Sequence, residues 1–277
     1  MKTKSLVIIV LMAGLMVFSG TLFGQVTPTC ENYLESLPAH LSPLNSAPQT
    51  YVLTTDYVDY DLFGNFIRKK RITGECTLLM NGFVKWNNIK TAHSENQAEE
   101  FPEGEVQPVM ENFTYNPASD ILSDTFFSSI PQADVYMKNL VWDLTAIETF
   151  AWHKWDLLKL NVEFSVNEVN FEIKMPGVGT FENKDVRITW TGITKINNEI
   201  CAIIKYMAMN NPYQMNSSDF EIKGRSHYWG DIFVSLSDKQ IEFADLYEDV
   251  LMDIKINGQE GSSKANTIRK ITLEKIR

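Results

Sequence analysis

The sequence predicts an α+β protein: a mainly antiparallel, strongly curved, half-barrel-like β-sheet with one long mid-chain helix. Three observations carry this. From Thr50 to Ile276, short segments alternate apolar and polar residues and are separated by turn residues, the pattern of strands buried on one face. Only the stretch 133–155 carries apolar residues at three- and four-residue steps. About ten strands with one apolar side need closure, a second sheet or a helix to bury that side. A single helix does this best when the sheet bends round it.

Residues 1–24 read as a secretory signal peptide. Lys2 and Lys4 precede a charge-free run from Ser5 to Phe18, and small or polar residues lead to Gln25. The run is shorter than the roughly 20 apolar residues that span a bilayer, and no later segment qualifies. The expectation is a protein exported to the periplasm or exterior and soluble after cleavage. Residues 25–49 carry Pro28, Pro38, Pro43 and Pro48 with little periodicity and read as an irregular leader.

Residues 50–277 are expected to form a single β-rich domain, with strand-rich halves 50–130 and 157–277 joined by the helix 133–155. In the first half, Thr50–Tyr60, Phe66–Met80 and Phe83–Ala92 are strands around turns at Phe63-Gly64-Asn65 and Asn81-Gly82. Residues 94–120, acidic and broken by three prolines, read as a long mobile excursion. On the helix, Met137, Leu140, Val141, Leu144, Ile147, Ala151 and Trp155 form one stripe.

In the second half, the alternation Leu158 to Val166 changes parity after Asn167-Glu168. A hairpin there would put Phe164 opposite Phe171 and Val162 opposite Ile173 on one buried face. Further strands are Asp185–Ile196 and Ile200–Met209 around Asn197-Asn198, Phe220–Tyr228 and Asp231–Leu236 around Trp229-Gly230, then Ile241–Ile256 and Thr267–Ile276.

Charge and motifs narrow the function. The chain has 25 basic and 35 acidic residues; loss of Lys2 and Lys4 leaves 23 − 35 = −12. Such a surface disfavours nucleic acid. Neither GxSxG, HExxH, a P-loop nor GxGxxG between strand and helix is present, so no catalytic residues are assigned and an enzyme ranks third. Asp56, Asp59 and Asp61 miss the spacing of a calcium loop, and the four histidines are scattered, so no metal or cofactor is expected. Cys30, Cys76 and Cys201 permit one disulfide without indicating its pairing.

The candidate binding residues lie on the helix. Trp142, Thr149 and His153 fall opposite the apolar stripe and are too aromatic for an ordinary solvated face. With Phe164 and Phe171 as a facing wall, they are the expected ligand site. The layout resembles the bacterial half-barrel carriers that shelter lipid or apolar ligands between sheet and helix, without a shared motif. The expected function is therefore a non-enzymatic binding or carrier protein whose partner is an apolar small molecule or a lipid-modified protein. The alternative is a structural or accessory subunit of a cell-surface complex.

Overall fold

The computed structural model describes residues 48–276 apart from 124, 132–133, 171, 176–178 and 218. The expected signal peptide, nearly all of the leader, Cys30 and Phe171 lie outside the described residues.

Among the described residues, thirteen strands form one antiparallel sheet. They are β1 (Gln49–Asp61), β2 (Phe66–Leu78), β3 (Val84–Ser94), β4 (Glu105–Val106), β5 (Thr114–Tyr115), β6 (Glu163–Ser165), β7 (Glu172–Met175), β8 (Gly179–Glu182), β9 (Arg187–Ile196), β10 (Glu199–Asn216), β11 (Phe220–Ser235), β12 (Ile241–Ile256) and β13 (Ser263–Ile276). The main order is β4-β3-β2-β1-β13-β12-β11-β10-β8-β7, and β9 shares the outer edge of β10 with β8. The sheet does not close: β4 and β7 stand at opposite ends of the path. The last strand, β13, sits between β1 and β12, so the two ends of the domain are joined in the middle of the sheet.

Local chemistry accounts for the hairpins. Asn197 (φ 52°) and Asn198 (φ 73°) both occupy the left-handed region, as a two-residue turn between right-twisted strands requires. At the β2–β3 turn, Gly82 takes φ 78° and the Asn81 side chain accepts from Phe83 N at 3.1 Å.

The one α-helix among the described residues, α1 (Val135–Trp152), begins where Asp134 accepts from Met137 N. Its stripe of Met137, Leu140, Val141, Leu144, Ile147 and Ala151 is buried. On the sheet face that it meets, Leu53, Ile72, Ile232, Ala244, Leu246, Ile271 and Leu273 are buried as well. Tyr136 packs edge-on to Tyr57 of β1, while Phe150 stacks on Tyr206 of β10 at 4.5 Å. The helix therefore crosses the strands rather than running along one of them. No helix among the described residues is long and apolar enough to cross a membrane.

Four expectations need correction. No hairpin forms at Asn167-Glu168: Asn167–Val169 is a 3-10 turn, β6 pairs with β9 (Phe164↔Ile188), and β7 pairs with β8 (Ile173↔Phe181). Alternation specifies a face but not a partner, and longer-range partners outcompete the local one. Leu160 and Val162 stand outside the strand, because Asn161 takes φ 58° and interrupts it. Trp229-Gly230 is not a turn but the interior of β11, where Gly230 permits a close approach of β12. Finally, the acidic excursion contributes β4 and β5 and buries Met110 and Tyr115.

Candidate functional site

A cleft of about 2060 Å³ lies between α1 and the sheet. Its floor follows from strand register. Opposed residues of antiparallel strands share a face, and the pairs Met215↔Ile222, Ile222↔Ile254 and Met252↔Ala265 extend the face that meets α1 toward the far ends of β10–β13. Tyr213↔Phe181 and Phe181↔Ile173 carry it onto β8 and β7. These side chains line the cleft and are only half-buried, unlike the packed core farther along the same strands. β10–β13 run 14–18 residues, longer than one crossing helix can cover.

The wall is the second stripe of α1. Asn139, Trp142, Ala146 and Thr149 recur at three- and four-residue steps and line the cleft. Trp142 is half-buried, its Nε1 donates to Ile121 O at 3.3 Å, and Phe127 meets its ring edge-on at 5.4 Å.

A charged row separates core from floor. The pairs Tyr228↔Glu248, Glu248↔Arg269 and Arg269↔Tyr57 set these four residues side by side across the sheet. Arg269 Nη2 donates to Asp143 Oδ2 of α1 at 2.6 Å, and Nη1 pairs with Glu248. The side chains of all three acid–base partners are only 12–14% exposed. Ser226 Oγ donates to Glu248 Oε1 at 2.6 Å, Thr55 Oγ1 donates to Asp143 Oδ2, and Asn139 Nδ2 donates to Tyr57 Oη at 3.0 Å. Burial pushes Asp143 above the usual carboxylate range, against the pull of Arg269. Burial likewise pushes the Tyr57 and Tyr228 phenols well up, so both stay neutral hydrogen-bonding groups.

Of the sequence-derived candidates, Trp142 and Thr149 line the cleft. His153 does not line it. It caps the C-terminus of α1, exposed, with Nε2 3.3 Å from Glu168 Oε1, and Lys154 holds that carboxyl down at about 2. Phe164 is half-buried on β6, away from the cleft lining, and Phe171 lies outside the described residues. In the sequence, the floor residues Ile222, Met252 and Ile254 carry only the signal of a strand, and the charged row carries none. Its members are 126 residues apart between Asp143 and Arg269 and 21 between Glu248 and Arg269, so no local spacing marks them.

The three aspartates of β1 are accounted for by hydrogen bonding: Asp56 to Arg71, Asp59 to Arg68 and Thr267, and Asp61 within its own turn. Among the described residues no cluster of three or more His, Cys, Asp or Glu side chains is placed to hold a metal. Cys76 and Cys201 are free and buried.

No family model and no curated protein matches the chain. Among solved structures it is similar to a DUF1329 family protein from Desulfovibrio piger, at 9% identity over 82% of this chain and 85% of that one, with a TM-score of 0.14, too low to carry an argument.

Proposed function

We propose that this chain is an exported, non-enzymatic binding protein that carries an apolar ligand, or the lipid group of a modified partner, in the cleft between α1 and the sheet. The carrying observation is the half-buried apolar floor of Met215, Ile222, Val250, Met252, Ile254 and Ala265, which continues the core face beyond the reach of the helix. Apolar area that can still leave water supplies about 25 cal/mol per Å² to a ligand that covers it. Concave, mostly apolar clefts with a few placed polar groups are the usual form of small-molecule sites. A sheet bent into a half-barrel around α1 would shelter the floor while leaving the cleft open at one side. Trp142 and Thr149 form the opposing wall in this reading.

Trp142→Ala tests it. A half-buried tryptophan truncated to alanine should cost less than the roughly 3–5 kcal/mol of a fully buried one, while ligand retention falls sharply. Native mass spectrometry of the secreted protein should show an apolar adduct in the wild type and its loss in the variant. A wild type without adduct, and a variant that is merely destabilised by several kcal/mol, would overturn the proposal.

A further inference from the structure

The charges that line the cleft narrow the ligand further, and this step rests on the carrier reading above. Five carboxylates and three bases line it, a balance of 3 − 5 = −2. Two of the three bases are already engaged by carboxylates. Arg68 Nε is paired with Asp59 Oδ2 at 2.7 Å, and Arg269 is held between Asp143 and Glu248. Lys174, the third, is exposed on β7, away from the charged row. An acceptor does remain. Asp143 lines the cleft and uses Oδ2 for both Arg269 and Thr55, and no side chain or backbone group among the described residues donates to its Oδ1.

We infer that the cleft takes an amphiphile whose hydrocarbon lies over Ile222, Met252 and Ile254 and whose polar end is uncharged or cationic and donates a hydrogen bond to Asp143, and that it discriminates against anionic amphiphiles such as free fatty acids. An anionic headgroup at the row would face two buried carboxylates with the neighbouring guanidinium already shared between them. Like-charge juxtaposition of this kind costs several kcal/mol, and every 1.4 kcal/mol is tenfold in affinity.

The test uses the full secreted chain, freed of any retained ligand, and three probes of matched chain length: dodecylammonium, 1-monolaurin and laurate. Calorimetric titration below their micelle concentrations should place the first two at least about tenfold tighter than laurate. Asp143→Asn should draw dodecylammonium and laurate together and weaken monolaurin less than dodecylammonium, because the amide oxygen still accepts a hydrogen bond but without charge. Met252→Gln, which alters the floor without altering charge, should weaken all three alike. Laurate binding as tightly as the others in the wild type would overturn the headgroup inference and leave the carrier reading standing. Failure of all three to bind would remove both. The wild-type ranking decides the matter even if Asp143→Asn does not fold.

Discussion

Arg269→Met is the most informative single change outside the floor. The guanidinium sits 12% exposed between Asp143 and Glu248, themselves 14% and 13% exposed. Its removal leaves two carboxylates, shielded from water and facing each other, without their cation. Breaking a buried pair in this way costs about 3–5 kcal/mol, because the desolvation penalty of the surviving charge is no longer offset. With a urea m-value of about 2–3 kcal/mol/M, the unfolding midpoint should fall by about 1–2.5 M at neutral pH. Adding Asp143→Asn to Arg269→Met should recover part of that loss, since only Glu248 then remains charged and Ser226 still donates to it at 2.6 Å. Arg269→Lys should fall between, as an ammonium cannot span both carboxylates with a planar fork. Equilibrium urea unfolding, followed by far-UV dichroism, measures all three variants. A loss below about 1 kcal/mol for Arg269→Met is the value expected of a solvated surface pair, and would refute the argument that this row, 12–14% exposed, is poorly solvated.

Two further outcomes follow from single groups. Burial raises Glu148, on the core side of α1, from 4.5 to about 7, so its neutral form favours the folded state. That contribution is complete below the unfolded value and is lost as pH rises through about 7, a fall of at most about 3 kcal/mol. Glu148→Gln should therefore flatten the stability–pH curve between about 4.5 and 7 and raise stability at pH near 8; an unchanged slope in urea midpoints would sink the assignment. A Cβ on Gly230 would lie 2.4 Å from Asp245 O and 2.8 Å from Leu246 Cα, both backbone atoms of β12. Gly230→Ala should cost about 1–3 kcal/mol and lower Tm by about 2–4 °C per kcal/mol, whereas a wild-type Tm would deny the close approach.

The strands and helix were legible because their signals are local. Alternation located β1, β2, β3, β12 and most of β13, and the 3.6-residue stripe located α1 to within a few residues of its ends. What failed was pairing. Phe164 and the segment beyond it have the right parity for a hairpin, yet β6 finds β9 and β7 finds β8, because a strand's partner is chosen by the whole sheet. Trp229-Gly230 failed for a related reason: a glycine demanded by a neighbouring strand looks the same in sequence as one demanded by a turn. The helix face with Trp142 and Thr149 was visible from periodicity alone. The floor it faces was visible only as strands, since nothing in a strand's own sequence says whether its apolar side will be covered.

That last distinction turns on the charged row. A buried ion pair contributes little net stability compared with apolar packing, but it is intolerant of the wrong geometry. Asp143 lies on α1 between the stripe that enters the core and the stripe that meets the cleft, and Arg269 holds it at 2.6 Å from β13. Rotating the helix by one residue would move Asp143 about 100° from Arg269 and leave its carboxylate without that cation. The Asp143–Arg269 pair therefore fixes which face of α1 meets the core and which meets the floor. Apolar residues alone could not do so with the same sharpness, because Phe150 and Trp142 are both apolar enough to enter the core. The polar row thus makes the cleft a specified feature of the fold, with the core ending at Tyr57, Arg269 and Glu248 and the half-buried floor beginning at Val250 and Met252.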